Sequence, residues 1–125
     1  AKIGGFEIGG ICGAILAAAA AGIPVLVDGL ISTAGLLLAY QFEERVKDYA
    51  FAAHLSEEQA HGKALAYLGL EPIFDLKMRL GEGTGAALAL PVLDGAIRVF
   101  RKVAHFKDAQ VTVGREKGRN NLANG

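Results

Sequence analysis

Gly22-Ile23-Pro24-Val25-Leu26-Val27-Asp28-Gly29 decides the fold. The twenty residues from Ile8 to Val27 carry no charge. That length could cross a bilayer as one helix, and Gly9-x-x-x-Gly13 has the small-residue spacing of paired membrane helices. Pro24 argues against one continuous helix, because proline removes a backbone donor and clashes with the preceding turn. The run is also mostly Ala and Gly before the break. Read with the break, Phe6 to Ala21 is a small-residue helix, Ile23 to Val27 a short buried strand, and Asp28-Gly29 the turn that leaves it. Helix, turn and strand indicate an α/β body rather than a membrane span.

The same reading extends downstream. Ser32 to about Phe42 is expected to be a second helix, and Val46 to Ala53 a shorter one containing Tyr49 and Phe51. Ser56 is placed as an N-cap, since Glu57, Glu58 and Gln59 follow it and favour the positive end of a helix. That helix runs to Leu68 and stops at Gly69, a usual C′ residue. Pro72 to Leu76 is the second strand, and Thr84 caps a long helix to about Val103, which Pro91 should kink or split. Parallel strands joined by helices follow from this order. Two strands do not make a stable sheet, and the first helix is apolar on nearly every face. The expectation is therefore part of an open, Rossmann-like parallel sheet flanked by helices, incomplete without upstream residues or a partner chain. Residues 1–113 form this portion and 114–125 a polar flexible tail with Arg115, Lys117 and Arg119.

Composition narrows the function classes. Thirteen basic and thirteen acidic residues leave no net charge, which gives no electrostatic footprint for nucleic acid or a membrane surface. A single cysteine, Cys12, excludes an intrachain disulfide and fits a reducing, cytoplasmic compartment. The chain opens Ala-Lys-Ile-Gly-Gly with no basic-then-apolar signal pattern, as expected of a processed or excised piece.

The chemistry concentrates in Arg79-Leu80-Gly81-Glu82-Gly83-Thr84-Gly85-Ala86-Ala87. Glycines at 81, 83 and 85 let a ligand approach the backbone. The free N–H groups of the following helix's first turn can then face an anion. Glu82, set between glycines, is a candidate general base, or else a solvated loop carboxylate. The spacing is neither the dinucleotide fingerprint nor a P-loop. On a continuous helix His54, Glu58 and His61 would share a face, but the spacing is not His-Glu-x-x-His and Ser56 starts the helix after His54, so no metal is assigned. Ser56 offers a hydroxyl beside a helix N-terminus, where ordinary capping is the alternative. Asp28, at a strand's carboxyl end, is either a ligand contact or a turn residue. Gly4-Gly5 before Glu7 could admit a phosphate or simply cap the helix. Asp75 and Arg79 are expected to pair.

Together these stretches resemble the carboxyl-terminal part of the CobT family, the nicotinate-nucleotide:dimethylbenzimidazole phosphoribosyltransferases of cobalamin synthesis. The matching segments are Gly4-Gly5-Phe6-Glu7-Ile8, Gly22 to Gly29, His54-Leu55-Ser56-Glu57, Leu70-Glu71-Pro72 and Arg79 to Ala87, in the family's order over residues 3–113. Arg-Leu-Gly-Glu-Gly-Thr-Gly is the specific element. Leu55-Ser56-Glu57-Glu58-Gln59 departs from the family's common Arg-Ser-Ala-Glu-Pro. The resemblance implies a Rossmann-like sheet and a homodimer or complementing chain. It makes Glu82 the catalytic base, and Ser56, Leu80, Gly81, Gly83, Thr84, Gly85, Asp28 and Gly5 contacts to nicotinate mononucleotide and a benzimidazole base. It implies no cofactor or metal, and neither nucleic acid nor a membrane as partner. The competing reading is a non-catalytic nucleotide-binding or assembly module that keeps part of the fold.

Overall fold

The computed structural model describes residues 4–79 and 82–102. Its elements run α1 (Phe6–Ala20), β1 (Val25–Val27), α2 (Leu30–Phe42), a 3-10 turn (Glu44–Tyr49), β2 (Ala50–His54), α3 (Gln59–Leu68), β3 (Pro72–Phe74) and α4 (Thr84–Lys102). The strands form one parallel sheet in the order β1-β2-β3. Val25 pairs with Ala50 and Val27 with Ala52, while Ala52 pairs with Pro72 and His54 with Phe74. Right-handed crossovers moving steadily across the sheet put α2 and α3 on one face. There α2 packs between α1 and α3, and α4 packs against all three strands.

The break at Gly22-Ile23-Pro24 falls where the sequence places it: α1 ends at Ala20, and Gly22 takes a left-handed φ of +70°. No helix among the described residues is long and apolar enough to cross a membrane. Gly69 stops α3 in the left-handed conformation, with Gly69 and Leu70 N–H groups closing on Ala66 and Leu65 carbonyls.

The central strand corrects the expected helix over Val46–Ala53. That segment is a 3-10 turn followed by β2, and the described residues form three strands rather than two. Ala50-Phe51-Ala52-Ala53-His54 contains no β-branched residue, so local preference favours helix. What holds it extended is position. It is hydrogen-bonded on both edges, and Ala50, Ala52 and Ala53 are buried where larger side chains would hold the flanking elements apart. Two smaller corrections follow. The N-cap position of α3 is Glu58, not Ser56, because the backbone leaves β2 through Leu55 and Ser56 before the helix can begin. Pro91 lies inside α4 without splitting it.

The core gathers Ile15 and Cys12 of α1, Leu36 and Ala39 of α2, Val27 of β1, Val46, and Leu65 and Leu68 of α3. Outside it, Phe6 is fully exposed and α4 turns Leu90, Val99 and Phe100 outward. Such apolar exposure on two helices fits the expectation of an incomplete body. The predicted tail, 114–125, lies outside the described residues.

Candidate active site

Open α/β sheets bind ligands beyond the carboxyl ends of their strands, and three such ends meet here. β1 delivers Asp28, β2 delivers His54 and Ser56, and the segment after β3 delivers Arg79 and Gly83. With Gly29 to Ser32 and Glu58 they line a cavity of about 300 Å³.

Asp28 organises it. Its backbone N–H and that of Gly29 donate to Ser32 Oγ at 2.9 and 3.1 Å, and the Ser32 hydroxyl donates to Gly29 O at 3.0 Å. This closes the turn into α2 and aims the Asp28 side chain across the sheet's end. There Oδ2 accepts the Gly83 N–H at 3.2 Å and Oδ1 the Ala86 N–H at 2.9 Å. The carboxylate, only 8% exposed, meets free donors at the positive end of α4, a charge-assisted cap supplied from 58 residues away in sequence. It does the work expected of Thr84, which is instead the first helical residue. It also occupies two of the N–H groups read from the sequence as an anion cradle. Of the N–H groups expected to form that cradle, those of Thr84 and Gly85 are left; Leu80 and Gly81 lie outside the described residues.

Two glycines permit this geometry. Gly83 has φ +78°, a conformation costly for side chains with a Cβ. A Cβ on Gly85 would lie 2.7 Å from Asp28 Oδ1 and 2.8 Å from His54 Cγ. Glu82, immediately before this anchored turn, is exposed. The loop therefore presents an exposed carboxylate next to a buried one whose two oxygens each accept an N–H.

On the other side of the cavity, His61 of α3 braces the Ser56 turn. The Ser56 N–H donates to His61 Nδ1 at 3.0 Å, and His61 Nε2 lies 3.1 Å from Thr33 Oγ1. An accepting Nδ1 puts the ring proton on Nε2, which donates to the Thr33 hydroxyl. Burial first, then the neighbouring His54, pushes the His61 pKa down, which keeps the ring neutral. Ser56 Oγ lies 3.4 Å from both Glu58 Oε2 and the Glu58 N–H.

Several expectations change here. His54 precedes α3, as expected, but ends a strand rather than following a helix, and its ring lies 6.3 Å from that of His61. No group of three metal-ligating side chains occurs among the described residues. Asp75 pairs with Lys77 at 2.7 Å, not with Arg79, because the chain after β3 turns through Lys77 at φ +54°. Arg79 is left to line the cavity. Gly5 sits at the N-cap of α1 under the Glu7 carboxylate and does not reach this cavity. His54 and Arg79 were missed as lining residues; only their places after a strand and before the glycine loop could have signalled them.

A family model described as phosphoribosyltransferase, DBI_PRT, matches residues 1–111. The chain belongs to this phosphoribosyltransferase family. It is 52% identical over 112 residues to the nicotinate-nucleotide–dimethylbenzimidazole phosphoribosyltransferase of Prosthecochloris aestuarii, covering 90% of this chain and 32% of the relative. The enzyme of the same name from Geobacter metallireducens is 50% identical over 117 residues, covering 94% and 33%. The crystal structure of the enzyme so named from Thermus thermophilus superposes with a TM-score of 0.83 at 45% identity, covering 91% of this chain and 34% of that one. The chain thus spans about a third of the length of these relatives, and its described fold superposes on that share of the Thermus thermophilus structure.

Proposed function

We propose that the protein transfers the 5-phosphoribosyl group of nicotinate mononucleotide to 5,6-dimethylbenzimidazole, giving α-ribazole 5′-phosphate and nicotinate for the nucleotide loop of cobalamin. One observation carries this reading. The chain is about 50% identical, over nine-tenths of its length, to enzymes named for these two substrates. The geometry supports it by leaving Glu82 exposed beside a helix end that Asp28 caps.

In this reading a benzimidazole ring nitrogen attacks C1′ of the ribosyl group with inversion. The C1′–N bond to the pyridine ring breaks, and its electron pair stays on the nicotinate nitrogen. Glu82 takes the proton from the other benzimidazole nitrogen, so positive charge does not accumulate as the new bond forms. Its negative charge also favours the oxocarbenium-like carbon in the transition state. Ser56, Thr84 and Gly85, with Leu80 and Gly81, hold the nucleotide. Asp28 and Gly83 act mainly by fixing the loop, which places the base for reaction. No cofactor or metal enters the chemistry. The apolar residues exposed on α1 and α4 are covered by residues beyond this chain and by a second copy in a homodimer. The reduced, buried Cys12 thiol fits a cytoplasmic enzyme.

The test is turnover of nicotinate mononucleotide with dimethylbenzimidazole by the full-length protein and its Glu82→Gln variant. The expected loss in kcat is about 10²–10⁴-fold, typical of removing a general base, with nucleotide affinity little changed. Undiminished turnover in the variant would reject the base role. Nucleotide binding without any turnover by the wild-type protein would favour a non-catalytic module.

A further inference from the structure

Among the described residues, the buried polar side chains around the cavity are partnered, with one exception. Asp28 accepts from Gly83 and Ala86, Ser32 closes the β1 turn, and His61 uses both ring nitrogens. His54, 1% exposed at the end of the central strand, has no hydrogen-bond partner at Nδ1 or Nε2 among the described residues. Buried polar atoms are seldom left unpaired, and an exception bordering a cavity points to a ligand that pairs them. Gly85 lies against the Cγ–Cδ2 edge of the ring, so the first turn of α4 fits around this histidine.

We infer that His54 is a nucleotide-binding residue whose ring hydrogen-bonds a ribose hydroxyl of the bound substrate. This rests on the phosphoribosyl-transfer reading. The surroundings favour a hydroxyl over a phosphate oxygen. The carboxylates of Asp28 and Glu58 border the same cavity against Arg79 among the described residues, and the neutral His61 ring lies near His54, while the charge of Asp75 is already met by Lys77. A neutral diol is compatible with that balance, whereas a dianion beside two carboxylates is repelled. Both ring nitrogens are shielded from solvent, so the contact includes a turn of the ring toward the cavity it borders.

The experiment compares His54→Phe and His54→Gln with wild type in the full-length protein. It uses nicotinate mononucleotide and its 2′-deoxy and 3′-deoxy analogues, with thermal unfolding measured in parallel. For His54→Phe we expect nucleotide KM to rise about 5- to 15-fold, the size of one hydrogen bond. The unfolding midpoint should not fall, because the two unpaired nitrogens are gone. One deoxy analogue should bind wild type more weakly than the parent nucleotide yet bind His54→Phe as well as the parent does. His54→Gln should recover part of the loss. Unchanged KM in His54→Phe overturns the inference, as does an equal loss for all three nucleotides or a loss that tracks a lowered midpoint. If the wild-type protein binds none of the nucleotides, the phosphoribosyl-transfer reading itself fails, and this assignment with it.

Discussion

Asp28 and Glu82 are two carboxylates within one corner of the molecule, and their surroundings are opposite. Asp28 is buried at the end of β1, with one oxygen accepting from Gly83, just before α4, and the other from Ala86 in its first turn. Glu82 is exposed on the residue before that same helix turn. A buried carboxylate with a donor on each oxygen is tied to the helix end, while an exposed one on an anchored loop can meet a substrate. The glycine-rich loop is therefore less an open anion cradle than a clamp that holds one acid in place with another.

The comparison breaks most readily at Asp28. Asp28→Ala leaves the Gly83 and Ala86 N–H groups without their acceptor, and we expect a loss of about 2–3 kcal/mol in unfolding free energy. Turnover should fall as well, by about 10²-fold, because a small displacement of the loop misplaces Glu82. Urea unfolding and steady-state rates on the same preparation check both. A stable variant with a large rate loss would show that Asp28 meets the substrate directly. Gly85→Ala attacks the contact from the helix side. Its methyl group would press on Asp28 Oδ1 and the His54 ring, and strain of this kind costs about 1–3 kcal/mol. A thermal midpoint equal to wild type would mean that the first turn of α4 yields more easily than this packing implies.

The smallest effect concerns the opposite wall of the cavity. His61 has a folded-state pKa below its unfolded value, so the folded protein binds fewer protons there. Its contribution to stability is present above the unfolded value near 6.5 and is lost as pH falls below that value, until the folded pKa is reached. The slope over that window is at most about 1.4 kcal/mol per pH unit for one proton. Urea midpoints measured between pH 7 and pH 5 should fall in wild type and fall less in His61→Gln. Parallel profiles would remove His61 as the titrating group. The lowered pKa values of Glu43, held at about 2 by Arg45, and of Asp75, held down by Lys77, act at more acidic pH and on exposed side chains.

Much of this was legible in the sequence, for local reasons. Gly22-Ile23-Pro24 and Gly69 mark chain breaks by backbone chemistry that holds wherever they occur, and α1, β1, α2 and β3 follow from them. β2 was illegible because Ala50-Phe51-Ala52-Ala53 has helical preference, and only its two neighbouring strands make it a strand. The Asp28 cap could not be read either. Its partners lie 55 and 58 residues away, and no periodicity encodes a contact made by the assembled sheet. The identity of the loop was readable because Arg-Leu-Gly-Glu-Gly-Thr-Gly is contiguous, whereas the cavity it serves draws on all three strand ends. His54 fell between the two cases: visible as a titratable residue, but without meaning until its ring proved buried and unpaired among the described residues.

The division of labour between the two acids can be measured directly with Glu82→Gln and Asp28→Asn in the full-length protein, each assayed for kcat and for unfolding free energy. Glu82→Gln is expected to lower kcat about 10²–10⁴-fold with stability unchanged, while Asp28→Asn lowers stability and takes activity down with it. Full activity in Glu82→Gln, with the chemistry lost in a stable Asp28→Asn, would reverse the two roles and contradict the account.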